Sequence, residues 1–152
     1  MLIVASLVLS LSAPPNSELA GTWTCGPYEL NGQSYNSIIT ETMDFRGDGS
    51  FSSVGVSKQR LSESEFIESE LESVGDWKLE NGFLLRRVRS TKVTRTSAEW
   101  ISVDKIQARL DATAKPDEWR TYQYSLSGKE LKTKRIAPGT PEIEVEVSCV
   151  KA

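Results

Sequence analysis

Residues 142–149 read EIEVEVSC, a stretch in which apolar residues and a cysteine alternate with glutamates and a serine. Successive side chains of a strand point to opposite faces, so this pattern predicts a strand with one dry face and one wet face. Cys149 falls on the dry face with Ile143, Val145 and Val147. This final strand therefore packs one side against a core.

The first predicted strand, residues 21–28, reads GTWTCGPY and places Trp23 and Cys25 on one face. The chain has two cysteines, and a disulfide between Cys25 and Cys149 requires their Cα atoms to lie within about 6 Å. The first and last strands would then be neighbours in a closed or nearly closed sheet, which leaves few exposed edges. A disulfide between two molecules is the alternative.

Between these two strands the sequence predicts consecutive hairpins, because period-two alternation is interrupted by glycine-rich and Asn-Gly turns. The predicted fold is all-β, an antiparallel up-and-down β-barrel of about eight to ten strands. The further strands are predicted over residues 38–45, 51–57, 75–79, 83–93, 119–126 and 129–136.

Two segments depart from this pattern. Residues 58–73 suit either a helix or a strand, and the second half favours a strand because it continues into the Asn81-Gly82 turn. Residues 102–114 predict the one short helix, since apolar residues recur every three or four positions, Ser102 can cap the start and Pro116 stops the run. This helix is expected to lie against an end or side of the barrel.

Composition restricts the chemistry. The 152 residues contain no histidine, which removes the commonest general base and the commonest zinc ligand. A formal net charge of −3 gives no general attraction to nucleic acid. The sequence thus predicts a protein that is not an enzyme, with no metal, no cofactor and no nucleic-acid partner.

The beginning of the chain resembles an export signal. Residues 2–13 are apolar apart from serines, which is the length of a signal-peptide core and too short to span a bilayer. We therefore predict a signal peptide or exported leader over residues 1–17, a single domain over 18–152, a periplasmic or secreted location and no transmembrane segment. A buried first strand is the alternative interpretation of the apolar run.

Four short motifs together resemble the bacterial lipocalin-like (calycin-type) proteins over residues 19–150. They are GTW at 21–23, GDGSF at 47–51, GDWKLENGFL at 75–84 and YSLSGKEL at 124–131. The resemblance implies that Trp23 plugs the closed end of a barrel and that a late arginine, for which Arg135 is the nearest match, packs over its ring. It also implies binding of a small hydrophobic or amphipathic ligand.

The residues expected to line a ligand cavity are aromatic: Trp77, Trp100, Trp119, Tyr122 and Tyr124. A protein-interaction module, such as an enzyme inhibitor, is the alternative function. The arginines at 86, 87 and 89 alternate between the two faces of one strand. A solvated strand paired with the acidic region 63–72 is the favoured interpretation, and a site for an anionic head group is the other.

Overall fold

The computed structural model describes residues 18–31, 36–136 and 145–152. In this part of the chain, eight antiparallel strands follow one another in sequence order, and the last pairs with the first. The strands are β1 (Gly21–Asn31), β2 (Asn36–Phe45), β3 (Ser50–Arg60), β4 (Phe66–Glu80), β5 (Phe83–Thr96), β6 (Arg120–Ser127), β7 (Glu130–Ile136) and β8 (Glu146–Lys151), with helix α1 (Val103–Thr113) between β5 and β6. The predicted up-and-down barrel is confirmed. The predicted leader at 1–17 and Ile143 lie outside the described residues.

The barrel closes where β1 meets β8. Cys25 lies directly opposite Cys149, with 4.0 Å between their Cα atoms, and the two form the disulfide. Thr24 opposite Val150 and Trp23 opposite Lys151 complete this short ladder. The predicted pairing within one molecule is confirmed, and it joins the two ends of the sheet.

The ambiguous segment 58–73 is strand on both sides of a turn. β3 ends at Arg60 and β4 begins at Phe66, and the two pair in register from there down to Ser50. The strand interpretation of the second half is therefore confirmed. β4 then runs into a tight turn at Asn81 and Gly82, both of which have positive φ, as a two-residue hairpin of this type requires.

Helix α1 agrees with the predicted 102–114, and the Ser102 side chain caps it by accepting from the backbone N–H of Lys105. The helix lies against β5, which pairs with β6 over residues 84–86 and then continues past it. Gln107 supplies hydrogen bonds to this stretch of β5: its amide donates to the Thr91 carbonyl and accepts from the Val93 N–H, both at 2.8 Å. The helix thus covers a length of β5 that runs beyond its ladder with β6.

The packed core lies at one end of the barrel, where the turns after β2, β4 and β6 meet. We call this the closed end. The largest fully buried side chains there are Trp23, Phe45, Phe51, Trp77, Leu84 and Leu131. Both indole N–H groups have acceptors at 2.9 Å, the Leu19 carbonyl for Trp23 and the Arg46 carbonyl for Trp77. The closed end is therefore packed with apolar side chains, and both of its indole N–H groups are hydrogen-bonded.

Candidate functional site

Above the closed end the barrel interior is hollow. A cavity of about 350 Å³ lies on the side of β3, β4 and β5, and an adjoining one of about 150 Å³ lies on the side of β6, β7 and β8. They share five lining residues: Tyr28, Leu30, Glu41, Arg86 and Arg120. We refer to them together as the hollow, and separately as the larger and the smaller compartment.

Small inward side chains on β3 and β4 produce the larger compartment. Ser53, Gly55 and Ser57 line it from β3, and Ser73 lines it from β4. Val54, the neighbour of Ser53, points outward and is 58% exposed. Because side chains alternate along a strand, the serine face of β3 faces inward and leaves space where larger residues would fill the barrel.

Polar side chains occupy the middle of the hollow. The Tyr28 hydroxyl and the Glu41 carboxylate are hydrogen-bonded at 2.9 Å, and the Arg86 guanidinium donates to the Tyr122 hydroxyl, also at 2.9 Å. Arg86 also contacts the Met43 sulfur. The hollow therefore contains charges of both signs, and the rest of its lining is a mixture of apolar and small hydroxyl side chains.

Arg86 is a partly buried cation with incomplete partners. The residue as a whole is partly buried, but its Nε is fully buried and finds no acceptor among the described residues. None of the ion pairs in the same part of the chain involves Arg86. Its guanidinium carbon lies 4.5 Å from the Tyr122 ring centroid and 5.8 Å from that of Phe51, which provides cation–π stabilisation. Burial by itself disfavours the charged form, but the negative fields of Tyr122 and Glu41 outweigh it and raise the pKa of Arg86.

Two further arginines line the hollow next to Arg86. Arg120 is the cross-strand partner of Arg86, and Arg135 is the cross-strand partner of Tyr122. Burial raises the pKa of Tyr122, but the charge and hydrogen bond of Arg86, helped by Arg120 and Arg135, bring it below the ordinary value. The Tyr122 hydroxyl therefore lies in a region of positive potential.

The two interior tyrosines should ionise in opposite directions from an ordinary phenol, whose pKa is about 10. Burial and the Glu41 carboxylate raise the pKa of Tyr28 far above that value, while that of Tyr122 is lowered. We expect phenolate absorbance in the near ultraviolet to develop first from Tyr122 and last from Tyr28 as the pH rises. Subtracting the titrations of Tyr122→Phe and Tyr28→Phe from that of the natural protein isolates each group.

The raised pKa of Tyr28 also has a consequence for stability. The folded state keeps this proton while the unfolded chain loses it, so its contribution is complete below about pH 10 and falls as the pH rises further. Tyr28→Phe should therefore lose less stability than the natural protein between neutral and alkaline pH in urea titrations. Equal alkaline losses in the two proteins would contradict the assignment.

The sequence-predicted cavity residues lie in different parts of the molecule. Tyr122 lines the hollow, whereas Trp77 is buried in the closed end and Tyr124 packs half-buried beside that core. Trp119 lies under the cations of Lys78 and Arg87, each 4.6 Å from its ring centroid. Trp100 is 67% exposed. The structure thus does not bring the five aromatic residues together.

Trp23 occupies the closed end, as the lipocalin resemblance implies for it, but the cation over its ring belongs to Lys151, whose Nζ lies 5.3 Å from the ring centroid. Arg135 lines the hollow and lies 3.6 Å from Glu118. Arg135 is therefore grouped with Arg86 and Arg120, the other cations that line the hollow.

The residues that sequence reasoning missed are the inward polar ones, chiefly Glu41, Arg86 and Arg120. Alternation contains the signal: Arg86 lies between Leu84 and Val88 on the inward face of β5, and the outward Arg87 and Arg89 obscure it. Those two arginines contact Asp76, and Arg95 contacts Glu68 and Glu70 at 3.2 and 3.0 Å. The outer face of β5 is thus solvated, and Arg95 pairs with region 63–72 as the sequence predicted. The prediction is wrong for Arg86, which faces the interior, and Arg87 and Arg89 pair with a carboxylate outside that region.

No family model matches this chain, and no curated protein matches it. The fold and the site define a class: an eight-stranded, antiparallel, closed β-barrel compatible with a lipocalin-like fold, with a hollow of mixed polarity. Within the described ranges, no three metal-ligating side chains cluster, and no helix is long and apolar enough to cross a bilayer.

Proposed function

We propose that this protein is an exported lipocalin-like barrel that binds a small amphipathic molecule in the hollow and catalyses no reaction. The observation that carries the proposal is the division of the interior into a packed closed end and a hollow of ligand size, since pockets for small molecules begin at about 300 Å³. The lining supports an amphipathic molecule in particular. Leu71, Val88 and Leu110 offer apolar surface, and the polar groups on β1, β2 and β5 offer orientation.

Export and membership of the calycin group belong to the same proposal. A disulfide persists in oxidising compartments, and Cys25–Cys149 closes the barrel, which supports a periplasmic or secreted location. The buried Trp23 at the start of β1, together with the up-and-down order of the strands, supports the calycin assignment. A binding role suits a chain without histidine, the usual general base.

Binding is tested by filling the hollow. Ser53→Leu adds a large inward side chain to the larger compartment, whereas Val54→Leu adds similar bulk on the outer face of the same strand. We expect the natural protein and Val54→Leu to bind the fluorescent apolar probe phenylnaphthylamine equally, and Ser53→Leu to bind it at least about tenfold more weakly because the space is occupied. Fluorescence titration gives the dissociation constants, and circular dichroism checks that both variants fold.

Native mass spectrometry of protein purified without detergent provides a second readout, because a retained natural ligand appears as added mass. Failure of the natural protein to bind the probe or any other small molecule would contradict the proposal. Equal binding by Ser53→Leu and Val54→Leu would place the probe outside the hollow and would contradict it as well.

One surface feature favours the alternative, a protein-interaction module. Leu61, Phe66 and Trp100 are exposed by 44%, 42% and 67% and line one surface groove near the turn between β3 and β4. Exposed apolar groups that adjoin one another are typical of protein contacts. A Trp100→Ser variant would lose such a partner and keep probe binding, which distinguishes the two functions.

A further inference from the structure

We propose that the molecule bound in the hollow is an anion, an amphiphile whose acidic oxygens are held by Arg86 with Arg120 and Arg135 while its apolar part occupies the larger compartment. This inference rests on the proposed function and adds the chemical class of the ligand. The first observation is Arg86 itself. It faces the interior and is partly buried, its fully buried Nε has no acceptor in the described chain, and no ion pair among the described residues involves it.

A buried charge without a counter-ion is expensive to keep, because the desolvation penalty is not repaid by an ion pair. The Tyr122 hydroxyl, the two aromatic rings and the field of Glu41 keep Arg86 charged, but none of them forms an ion pair with the guanidinium. An acidic ligand would supply the missing negative charge. It would also supply an acceptor for guanidinium N–H groups, whose planar fork matches a carboxylate or another oxyanion.

The register of β5, β6 and β7 adds the second observation. Arg86 lies directly opposite Arg120, and Tyr122 lies directly opposite Arg135, so three inward cations occupy three neighbouring strands. Like charges in directly opposite positions destabilise a sheet. An anion bound between the arginines would offset that repulsion, because each guanidinium group is attracted to it. The arrangement is therefore explained by a bound acid better than by the stability of the empty barrel.

The negative groups near these cations leave an excess of positive charge. Glu41 lines the hollow and is hydrogen-bonded to Tyr28, and Glu118 lies 3.6 Å from Arg135. Among the described residues, three cations thus face two carboxylates. The lowered pKa of Tyr122 agrees with this balance, because it reports net positive potential at the point where the arginines converge.

The two compartments separate the parts of the ligand. The smaller one, about 150 Å³, contains Arg135 and Tyr122 together with the shared Arg86 and Arg120, and suits an acid group. The larger one, about 350 Å³, extends from the shared arginines past Val88 to Leu71 and Leu110, and suits an apolar group. The natural ligand class is accordingly a compact organic acid.

Two probes with the same aromatic skeleton test the charge. Anilinonaphthalene sulfonate carries an acidic group and phenylnaphthylamine carries none. We expect the natural protein to bind the sulfonate at least about tenfold more tightly, which is the scale of charge-assisted hydrogen bonds. Decanoate should displace the sulfonate, and decanol at the same concentration should not. Equal affinity for the two probes, or equal displacement by the alcohol, overturns the proposal.

The variants identify the cation responsible. Arg86→Met removes the inward charge and keeps the stem, and Arg89→Met removes an outward charge from the same strand as the matched control. Arg86→Met should abolish the preference for the sulfonate, measured as the ratio of its affinity to that of phenylnaphthylamine. Arg89→Met should keep this ratio, and Arg86→Lys should restore part of it. An unchanged preference in Arg86→Met overturns the proposal.

Two further measurements keep the test decisive. If Arg86→Met does not fold, Arg120→Met reports on the same charge cluster and should lower the preference for the sulfonate. In the natural protein, bound decanoate should move the ionisation of Tyr122 to higher pH, because the anion offsets the arginines, and no movement counts against the proposal. Binding of phenylnaphthylamine that Ser53→Leu blocks, without any preference for the acid, leaves the proposed function standing and overturns this inference alone.

Discussion

Replacing Cys25 and Cys149 together by alanine is expected to lower the free energy of unfolding by about 4 kcal/mol. The bridge joins positions 124 residues apart, so its loss releases the unfolded chain from a very large loop. For a chain of this size the midpoint of thermal unfolding should fall by roughly 10 °C. Urea titration with the natural protein in parallel gives the free-energy difference.

The reduced natural protein is the control for the sulfur atoms themselves. Both cysteines are almost fully buried, so alanine also removes packed atoms, and the difference between the reduced protein and the double variant measures that part. The loss of stability that the reduced protein and the double variant share is due to the missing cross-link. A double variant within about 1 kcal/mol of the oxidised protein would show that the bridge contributes little.

Loss of the disulfide should affect mainly the pairing of β1 with β8. β1 meets β8 only at Trp23, Thr24 and Cys25 in the described chain, whereas the ladder of β3 with β4 extends over the full length of β3. Amide hydrogen exchange in the reduced protein should accordingly rise first around residues 22–25 and 149–151, because a short ladder opens locally at low free energy.

The architecture could be predicted from the sequence because several local signals agree. Strict alternation before Cys149 defines one inward face, and Cys25 on the same face as Trp23 defines another. A disulfide between the two cysteines makes the first and last strands neighbours, so the sheet must close into a barrel. The Asn81-Gly82 turn and the Ser102 cap fix two boundaries through backbone chemistry that needs no tertiary context.

The site could not be predicted in the same way, because a cavity depends on where small side chains face the interior of the barrel. Size suggested that the tryptophans line a cavity, yet Trp77 packs the closed end and Trp100 lies on the surface. The space arises beside small residues such as Ser53 and Gly55, and the sequence of β3 does not show that this face points inward and the face of Val54 outward.

Arg86 illustrates a second limit of sequence reasoning. Arginine is seldom buried without a partner. Arg86, which lies close to Arg87 and Arg89 in the sequence, is therefore first interpreted as exposed to solvent. Alternation places Arg86 on the same face of β5 as Leu84 and Val88, and the structure shows that this face points inward. The barrel thus separates two kinds of interior along its axis: apolar side chains pack the closed end, and polar side chains line the hollow.

That separation predicts a large stability effect at the closed end. Trp77→Ala is expected to lower the free energy of unfolding by about 3–5 kcal/mol, the usual cost of truncating a buried large aromatic residue. Trp77 is 2% exposed, its ring meets that of Phe45 edge-on at 5.2 Å between centroids, and its N–H donates to the Arg46 carbonyl. Truncation leaves a cavity in the floor of the barrel and removes one of two hydrogen bonds to the Arg46 carbonyl, which keeps the one from the Gly49 N–H at 3.1 Å.

Trp100→Ala is the matched control, because it removes the same side chain from an exposed position and should change stability by less than about 0.5 kcal/mol. Trp77→Phe separates the two contributions: it keeps an aromatic ring in the floor and removes the N–H, so it should cost about 1 kcal/mol for the hydrogen bond plus a smaller packing loss. Urea titration of all three variants measures these differences. Similar losses for Trp77→Ala and Trp100→Ala would mean that the closed end is not the stabilising core, and the hollow above it would then lack the rigid floor that a preformed binding site needs.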